Sequence, residues 1–580
     1  VATFQLPRVV IAGLRGGSGK TLVSAGLARA LSNQGLRVAV FKKGPDFIDT
    51  EWLGAAARTE PHNLDTFLAE SHEILRSLQT QCTSEIAIIE GNRGLFDGLD
   101  AQGTHSTAEL AKLIQAPLVL VIDATKSTRT VAALVLGCLA LDPELPLSGV
   151  ILNRVGTPRQ ERLIREALSL VCDVPVLGAI PRLAEQHLPS RHLGLVLPAE
   201  REDAERALQA LADAITAHVD LMSLRHLAAR ARALHVPSPE RESTGTALRS
   251  DGSGSTTVLS RESGTTLRSD GSGSTTVLSR DSRTTHRSHE PGDNGTRSLG
   301  PVNGSTRAGS ASRASARPSP GIPIPRASTP PLRVGVLRDA AFCFYYPENL
   351  AALEAAGACL VPVSPLADRD LPAIDALYAG GGYPEQFAQE LAENSGFRNA
   401  LAEQIRNGLP VWAECGGLMY LGQAIVRDTN RFPMVGALSF VAEHTARPQA
   451  HGYVEARVDR ENPFLPVGTR LRGHEFHHSR LVEYQPGLRT ALAVARGVGI
   501  GNGRDGVVMG CVFASYLHLF APGAPEWAKS LVRTARKVQT AQAVTNSHTK
   551  RGEEYGKHCS WRSQHRSRRG WFHSGTGQVE

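Results

Sequence analysis

At 580 residues the chain is too long for one hydrophobic core, and its 41% hydrophobic content fits a soluble protein of about three or four domains. No run of about 18 apolar residues occurs, which excludes a helical membrane span and argues against a membrane partner. The net charge of +7 would suit a nucleic-acid partner, but residues 238–330 carry +4 and residues 537–580 carry +5, leaving the remainder at about −2. The parts that read as folded are therefore near neutral, and no nucleic-acid binding is expected.

In chain order, the N-terminus opens directly on an apolar strand. It lacks the charged start, apolar stretch and small-residue cleavage site of a secretory leader, so a cytoplasmic protein is expected. The eight cysteines are scattered without a CxxC pair and read as free thiols, neither a disulfide framework nor a zinc site. Through residues 1–237 the pattern predicts strands at Arg8–Ala12, Arg37–Phe41, Glu85–Glu90, Pro117–Asp123 and Gly149–Asn153, with helices at Thr21–Gln34 and Ser106–Gln115. Continuous β-branched runs separated by amphipathic helices predict an α/β domain whose parallel sheet is covered on both faces.

The first strand leads into Gly13-Leu14-Arg15-Gly16-Gly17-Ser18-Gly19-Lys20-Thr21 and then a helix, the context of a phosphate-binding loop. Gly16, Gly17, Ser18 and Gly19 let backbone N–H groups converge on phosphate oxygens at a helix N-terminus. Lys20 is expected on the β/γ-phosphates and the Thr21 hydroxyl on Mg²⁺, so ATP and Mg²⁺ are the expected cofactors. Glu90, ending its strand, is placed like the carboxylate that holds the metal in such folds. Asp97, in the next loop, is a candidate substrate ligand. Lys42-Lys43-Gly44-Pro45-Asp46-Phe47-Ile48-Asp49 brings two more carboxylates to the same sheet edge, Asp46 expected on the metal and Asp49 on the substrate. Asn153 is a candidate adenine contact.

Composition changes near Pro237. Leu248–Arg261 recurs letter for letter as Leu267–Arg280, a period of nineteen residues. Two copies rich in Ser, Gly, Thr and Arg have too few apolar side chains for a solenoid core, so residues 238–330 read as a disordered linker. A strand pattern returns at Leu332–Leu337 and a second α/β domain runs from 331 to 536. A basic tail, also expected to be disordered, occupies 537–580.

In the second domain, Val411-Trp412-Ala413 ends a strand and Gly416 opens a helix, which places Cys415 on a tight strand-to-helix turn. That turn exposes the sulfur at a helix N-terminus and is expected to favour the thiolate. His518 follows the predicted strand Val507–Phe513 and is the candidate base. Many glutaminases of this type carry Glu two residues after the histidine; here that place is Phe520, so a third member is absent or comes from elsewhere. Gly381 and Gly382, after the strand Ala376–Ala379, can offer backbone N–H groups to the glutamine substrate's oxyanion. His474-Glu475-Phe476-His477-His478 matches H-E-x-x-H, but Gly473 before it and Pro486 after it leave little room for the helix a zinc protease needs.

Together these stretches closely resemble the cobyrinic acid a,c-diamide synthase family. The match rests on Lys43–Asp49, Arg191–Val196, Arg338–Asn349, Gly380–Glu385, Ala413–Leu421 and Arg472–Ser479. The resemblance implies a dethiobiotin-synthetase-like P-loop domain joined to a class I glutamine amidotransferase-like domain. It implies ATP-dependent amidation of two corrinoid carboxylates with ammonia from glutamine, Cys415 being the nucleophile. Gly91-Asn92-Arg93-Gly94 departs from the family's usual Gly-Val-Met-Gly, and a related tetrapyrrole such as nickel-sirohydrochlorin stays open as substrate. A partition-type ATPase switch is the competing reading of the first domain alone.

Overall fold

The computed structural model describes residues 2–183, 190–191, 194–195, 197–198, 201–236, 331–484 and 487–542. The expected linker with its repeat, half of Arg191–Val196 and the expected tail beyond 542 lie outside these residues. Among the described residues no helix is long and apolar enough to cross a membrane.

The first domain holds β1 (Arg8–Gly13), β2 (Val38–Lys43), β3 (His62–Leu64), β4 (Ile86–Glu90), β5 (Leu118–Asp123), β6 (Leu147–Val155) and β7 (Val176–Pro181). They form one sheet in the order β3-β2-β4-β1-β5-β6-β7, every pair parallel. Both faces are buried, which explains the unbroken apolar runs. Val9 and Ile11 of β1 enter one core, with α1 (Lys20–Asn33) and α2 (Ile48–Ala57), while Val10 and Ala12 enter the other, with α3 (Thr107–Leu113). The P-loop joins β1 to α1 at the centre of the sheet, where strand order changes direction and a crevice forms.

Arg8 is wholly buried at the start of β1. Its guanidinium donates to Ile114 O at 2.8 Å, Leu6 O at 2.9 Å and Arg232 O at 2.6 Å, tying the sheet to the end of α3 and to the domain's last helical turn. Burial pulls its pKa down to about 10, yet it remains charged. Arg8→Met should lower the unfolding free energy by about 2–4 kcal/mol in chemical denaturation, because three buried carbonyls lose a charged donor.

The second domain carries β8 (Leu332–Leu337), β9 (Ala358–Val363), β10 (Ala376–Ala379), β11 (Val411–Glu414), β12 (Ala450–Val458), β13 (Arg470–His477), β14 (Thr490–Arg496), β15 (Arg504–Met509), β16 (Val512–Ser515) and β17 (His518–Leu519). The ten-stranded sheet runs β9-β8-β10-β11-β16-β15-β14-β12-β13-β17, parallel from β9 to β16 and antiparallel beyond. The stretch expected as one strand, 507–513, is instead the tip of a hairpin. Gly510, with φ 54°, turns the chain between β15 and β16, which pair antiparallel. The last helix runs through 526–542, six residues past the expected start of the tail.

The two domains pack as one compact unit. Tyr453 donates to Asp65 Oδ2 at 2.7 Å, and its ring stacks on Phe67 at 4.3 Å. His62 Nδ1 meets Glu348 Oε1 at 3.1 Å. Phe520 is buried and joins the first domain's core, packing edge-on against Tyr346 at 5.0 Å. This interface sets the phosphate-binding edge of one sheet against the cysteine turn of the other.

Candidate active site

The phosphate side comes first. Gly17 and Gly19 take positive φ (74° and 93°), which lets the loop curl before α1. Lys20 is buried and folds over the loop, donating to Arg93 O at 2.8 Å and Arg15 O at 3.3 Å. These two carbonyls stand in for the oxygens of a phosphate.

Thr21 Oγ1 donates to Glu90 Oε1 at 2.6 Å and lies 3.3 Å from Asp49 Oδ2. Lys42 Nζ sits between the same two carboxylates, at 2.6 Å from Asp49 and 2.7 Å from Glu90. Burial alone would drive Lys42 towards neutrality, but Asp49 and Glu90 outweigh it and hold the ammonium. Hydroxyl and carboxylate oxygens converging on one positive charge are the donor set a hard cation such as Mg²⁺ accepts. Among the described residues no group of three His, Cys, Asp or Glu side chains forms a metal cage.

Asp46 and Asp49 stand differently from expectation. α2 begins at Ile48, so Asp49 in its first turn reaches Thr21 and Lys42, while Asp46 Oδ1 caps the turn by accepting from Asp49 N at 2.9 Å. Burial, reinforced by Asp49, pushes the Asp46 carboxyl up to about 7, and it faces the cavity between the domains. Asp97 accepts from Gly94 N at 2.9 Å, closing its turn, and lines that cavity too. Asn153 does not present itself to a base: its Nδ2 donates to Ser18 O at 3.0 Å and a Cβ on Gly19 would collide with it, so it props the P-loop from beneath. The hollow beside the loop is lined instead by Thr125, Ser127, Arg154, Thr157, Gln160 and Arg182.

On the other side of the interface, Cys415 has φ 48° and ψ −97°, a strained elbow between β11 and the helix α4 (Gly416–Leu421). Its neighbours must be small. A Cβ on Gly417 would collide with Ala379 O, and one on Gly416 would stand 3.0 Å from Gly382 N. Gly382 N is thereby brought beside the cysteine turn, on the side where an oxyanion would form.

His518 lies on β17, which pairs with β13 so that His474 is its register partner and their rings stack at 4.8 Å. Gly381 is what admits it: a Cβ there would stand 2.5 Å from His518 Cε1. Gly381→Ala should therefore displace the imidazole and cut glutamine hydrolysis about a hundredfold, as catalytic misplacements of an ångström do; steady-state glutaminase assay checks this.

The surroundings of Cys415 oppose the expected thiolate. Burial, aided by Glu385, pushes the Cys415 thiol well up, outweighing the hydrogen bond from Gly416. Burial also lowers His518 to about 3, so the resting pair is neutral thiol and neutral imidazole.

His474 lies on β13 and His478 just past its end, neither on a helix, which removes the H-E-x-x-H geometry. His477 stacks on Tyr516 at 3.6 Å, with its Nδ1 2.8 Å from Ser479 O.

Some of the packing here carried no sequence signal. Phe47, between Asp46 and α2, packs its ring against Tyr346 at 4.4 Å, Phe344 at 5.2 Å and His518 at 5.7 Å. One cavity of about 500 Å³ is lined by Lys43, Asp46 and Arg93 from the first domain and by Cys415, His518 and Arg496 from the second.

Comparison with known proteins assigns the same two halves. Residues 9–196 match the CobQ/CobB/MinD/ParA nucleotide binding domain, and residues 333–525 match the CobB/CobQ-like glutamine amidotransferase domain. Cobyrinate a,c-diamide synthase of Magnetococcus marinus is 36% identical, the match covering 92% of this chain and 98% of the relative. That of Syntrophotalea carbinolica is also 36% identical, over 92% and 99%. The chain belongs to the cobyrinate a,c-diamide synthase family. A synthase of Methanothermobacter thermautotrophicus is 33% identical over 91% of this chain and 99% of its own. Within this synthase family the chain is a glutamine-dependent amide ligase, with nucleotide binding in its first domain and the amidotransferase in its second. A partition-type switch, which needs only the first domain, leaves Cys415 and its surroundings without a purpose.

Proposed function

We propose that the chain amidates the a and c carboxylates of cobyrinic acid, or of its metal-free analogue, using ATP, Mg²⁺ and ammonia released from glutamine. The observation that carries this reading is the cavity between the domains, which has Lys43, Asp46, Arg93 and Asp97 from the first domain on one wall and Cys415 with His518 on the other. Lys43, Arg93 and Arg496 supply cations for a polycarboxylate, and Tyr453 and Phe476 supply apolar faces for its ring.

Cys415 Sγ attacks the glutamine side-chain carbon as its proton passes to His518, while the oxyanion meets backbone N–H at Gly382. Collapse breaks the C–N bond. The nitrogen leaves with the proton from His518 as ammonia, and water then hydrolyses the glutamyl thioester.

In the first domain Lys20 turns from the Arg15 and Arg93 carbonyls to the β/γ-phosphates, and Thr21, Asp49 and Glu90 would hold Mg²⁺, which would supply charge neutralisation for the transferring group. A substrate carboxylate oxygen attacks the γ-phosphorus and ADP departs. Ammonia then attacks the acyl carbon, phosphate leaves and the added nitrogen loses a proton. A carboxylate does not react usefully with ammonia in water, which is why the phosphoryl group is needed. Asp46 and Asp97 face the space where the substrate arm and ammonia meet.

Residues 1–237 serve as the synthetase domain and 331–536 as the glutaminase domain in this reading, with 238–330 as linker and 537–580 as tail. Mass spectrometry of products from cobyrinic acid, its metal-free analogue and nickel-sirohydrochlorin, each with ATP and glutamine, tests it. Two successive carboxylate-to-amide changes on a cobyrinic acid are expected. Amidation of nickel-sirohydrochlorin alone would replace this substrate assignment.

A further inference from the structure

The expected position for a third glutaminase residue, two after the histidine, is Phe520, which is buried in the domain interface and packs on Tyr346. A hydrophobic ring there serves packing and cannot orient an imidazole. Yet His518 Nδ1 is buried with no hydrogen-bond partner among the described residues. An imidazole that accepts the thiol proton becomes an imidazolium, and a buried N–H⁺ facing nothing is costly.

One carboxylate lies within reach. Glu414, the residue before the nucleophile, places Oε2 3.8 Å from His518 Nδ1, and both side chains are 2% exposed. Trp412 and Glu414 share one face of β11, opposite to Ala413. Glu414 accepts from Trp412 Nε1 at 3.0 Å, Tyr378 OH at 3.1 Å and Leu519 N at 3.4 Å. Three donors surround it, the setting of an ionised carboxylate despite its burial. Leu519 is the residue after His518, so the same carboxylate already fixes the backbone of β17.

We propose that Glu414 is the positioning carboxylate of the glutaminase, holding His518 through Nδ1 and completing a Cys415–His518–Glu414 triad whose nucleophile and acid are sequence neighbours. As the proton leaves Sγ for the other ring nitrogen, Nδ1–H closes on Oε2 by about 1 Å to reach charge-assisted hydrogen-bond length. Glu414 keeps its charge throughout; the proton goes on to the departing ammonia. The carboxylate thus fixes the tautomer and stabilises the imidazolium, as the acid of a hydrolytic triad does. This inference rests on Cys415 and His518 forming the glutaminase.

The titratable groups facing the pair are Tyr345, Tyr346, Tyr378, His474, His477 and Cys415. Burial raises Glu414 to about 7, opposed by its bonds from Trp412 and Tyr378. Glutaminase activity should therefore fall as pH drops through that value, where the carboxylate protonates and His518 loses its support.

The test compares full-length Glu414→Gln, Glu414→Asp, Cys415→Ala and His518→Ala for glutamine hydrolysis across neutral pH, and for amidation driven by ammonium chloride. Glu414→Gln should lower kcat for glutamine about a hundredfold with little change in KM, since an orienting carboxylate acts mainly on the transition state. Its acidic limb should move to lower pH, a change that simple loosening of the site would not cause, and Glu414→Asp should recover part of the rate. Amidation with ammonium shows that each variant is folded. Wild-type kcat and an unmoved acidic limb in Glu414→Gln, with Cys415→Ala and His518→Ala inactive, would overturn the role of Glu414 alone. Glutaminase activity in Cys415→Ala would overturn the site reading beneath it.

Discussion

Cys415→Ala abolishes glutamine-dependent amidation and leaves ammonia-dependent amidation intact. The expected loss of glutaminase is about 10⁴-fold or more, because removing a nucleophile eliminates the covalent route and leaves only binding and oxyanion stabilisation. The fold should survive, since the alanine Cβ fits where the cysteine Cβ already stands and the Cys415 N–H to Ser515 O bond, 2.7 Å, is made by backbone. Parallel assays with glutamine and with ammonium chloride, read as amide formed per ATP consumed, check it. Loss of activity with both nitrogen sources would show that the cysteine turn also builds the synthetase site.

Lys20→Ala removes synthesis from either nitrogen source. Lys20 is the cation that can swing from the Arg15 and Arg93 carbonyls onto a phosphate, so its loss should slow phosphoryl transfer roughly a thousandfold. Glutamine hydrolysis by the same protein should persist, because Lys20 does not line the cysteine's cavity. The check is ADP release with saturating cobyrinic acid, alongside glutamate release. The two variants together separate the chemistry into a nitrogen-releasing half and a carboxylate-activating half.

What the sequence made legible follows from how local each feature is. Gly16–Thr21 and Glu414–Gly417 are runs of adjacent residues, and each lies between a strand and a helix as the pattern predicts. Five of the seven strands in the first domain's sheet were legible because burial on both faces leaves continuous apolar runs, while β3 and β7 were not foreseen. Residues 507–513 show the weakness of that signal: an equally apolar run folds back at Gly510, and the glycine was the only mark of the turn.

The partners of these motifs were less legible. Whether Asp46 or Asp49 meets Thr21 depends on where α2 starts, a difference of one helical turn. Glu414 stood in plain view, but its meeting with His518 comes from β11 and β17 converging across about a hundred residues of intervening chain. β6 runs two residues past Asn153, where the strand was expected to end, and the closeness of Gly19 turns Asn153 under the loop. Phe47 stood inside the Lys43–Asp49 motif, but its packing was not legible, since its neighbours Phe344, Tyr346 and His518 belong to the other domain.

The proposed passage of ammonia from the cysteine's cavity to the phosphate side is tested most directly by isotope. The full chain is given cobyrinic acid, ATP, Mg²⁺ and glutamine labelled with ¹⁵N in its side-chain amide, in the presence of excess unlabelled ammonium, and the diamide is weighed. Such passage predicts diamide far richer in ¹⁵N than the ammonium in solution. A product whose label merely equals that of the dissolved ammonium would mean that nitrogen passes through bulk water and that the cavity does not join the sites.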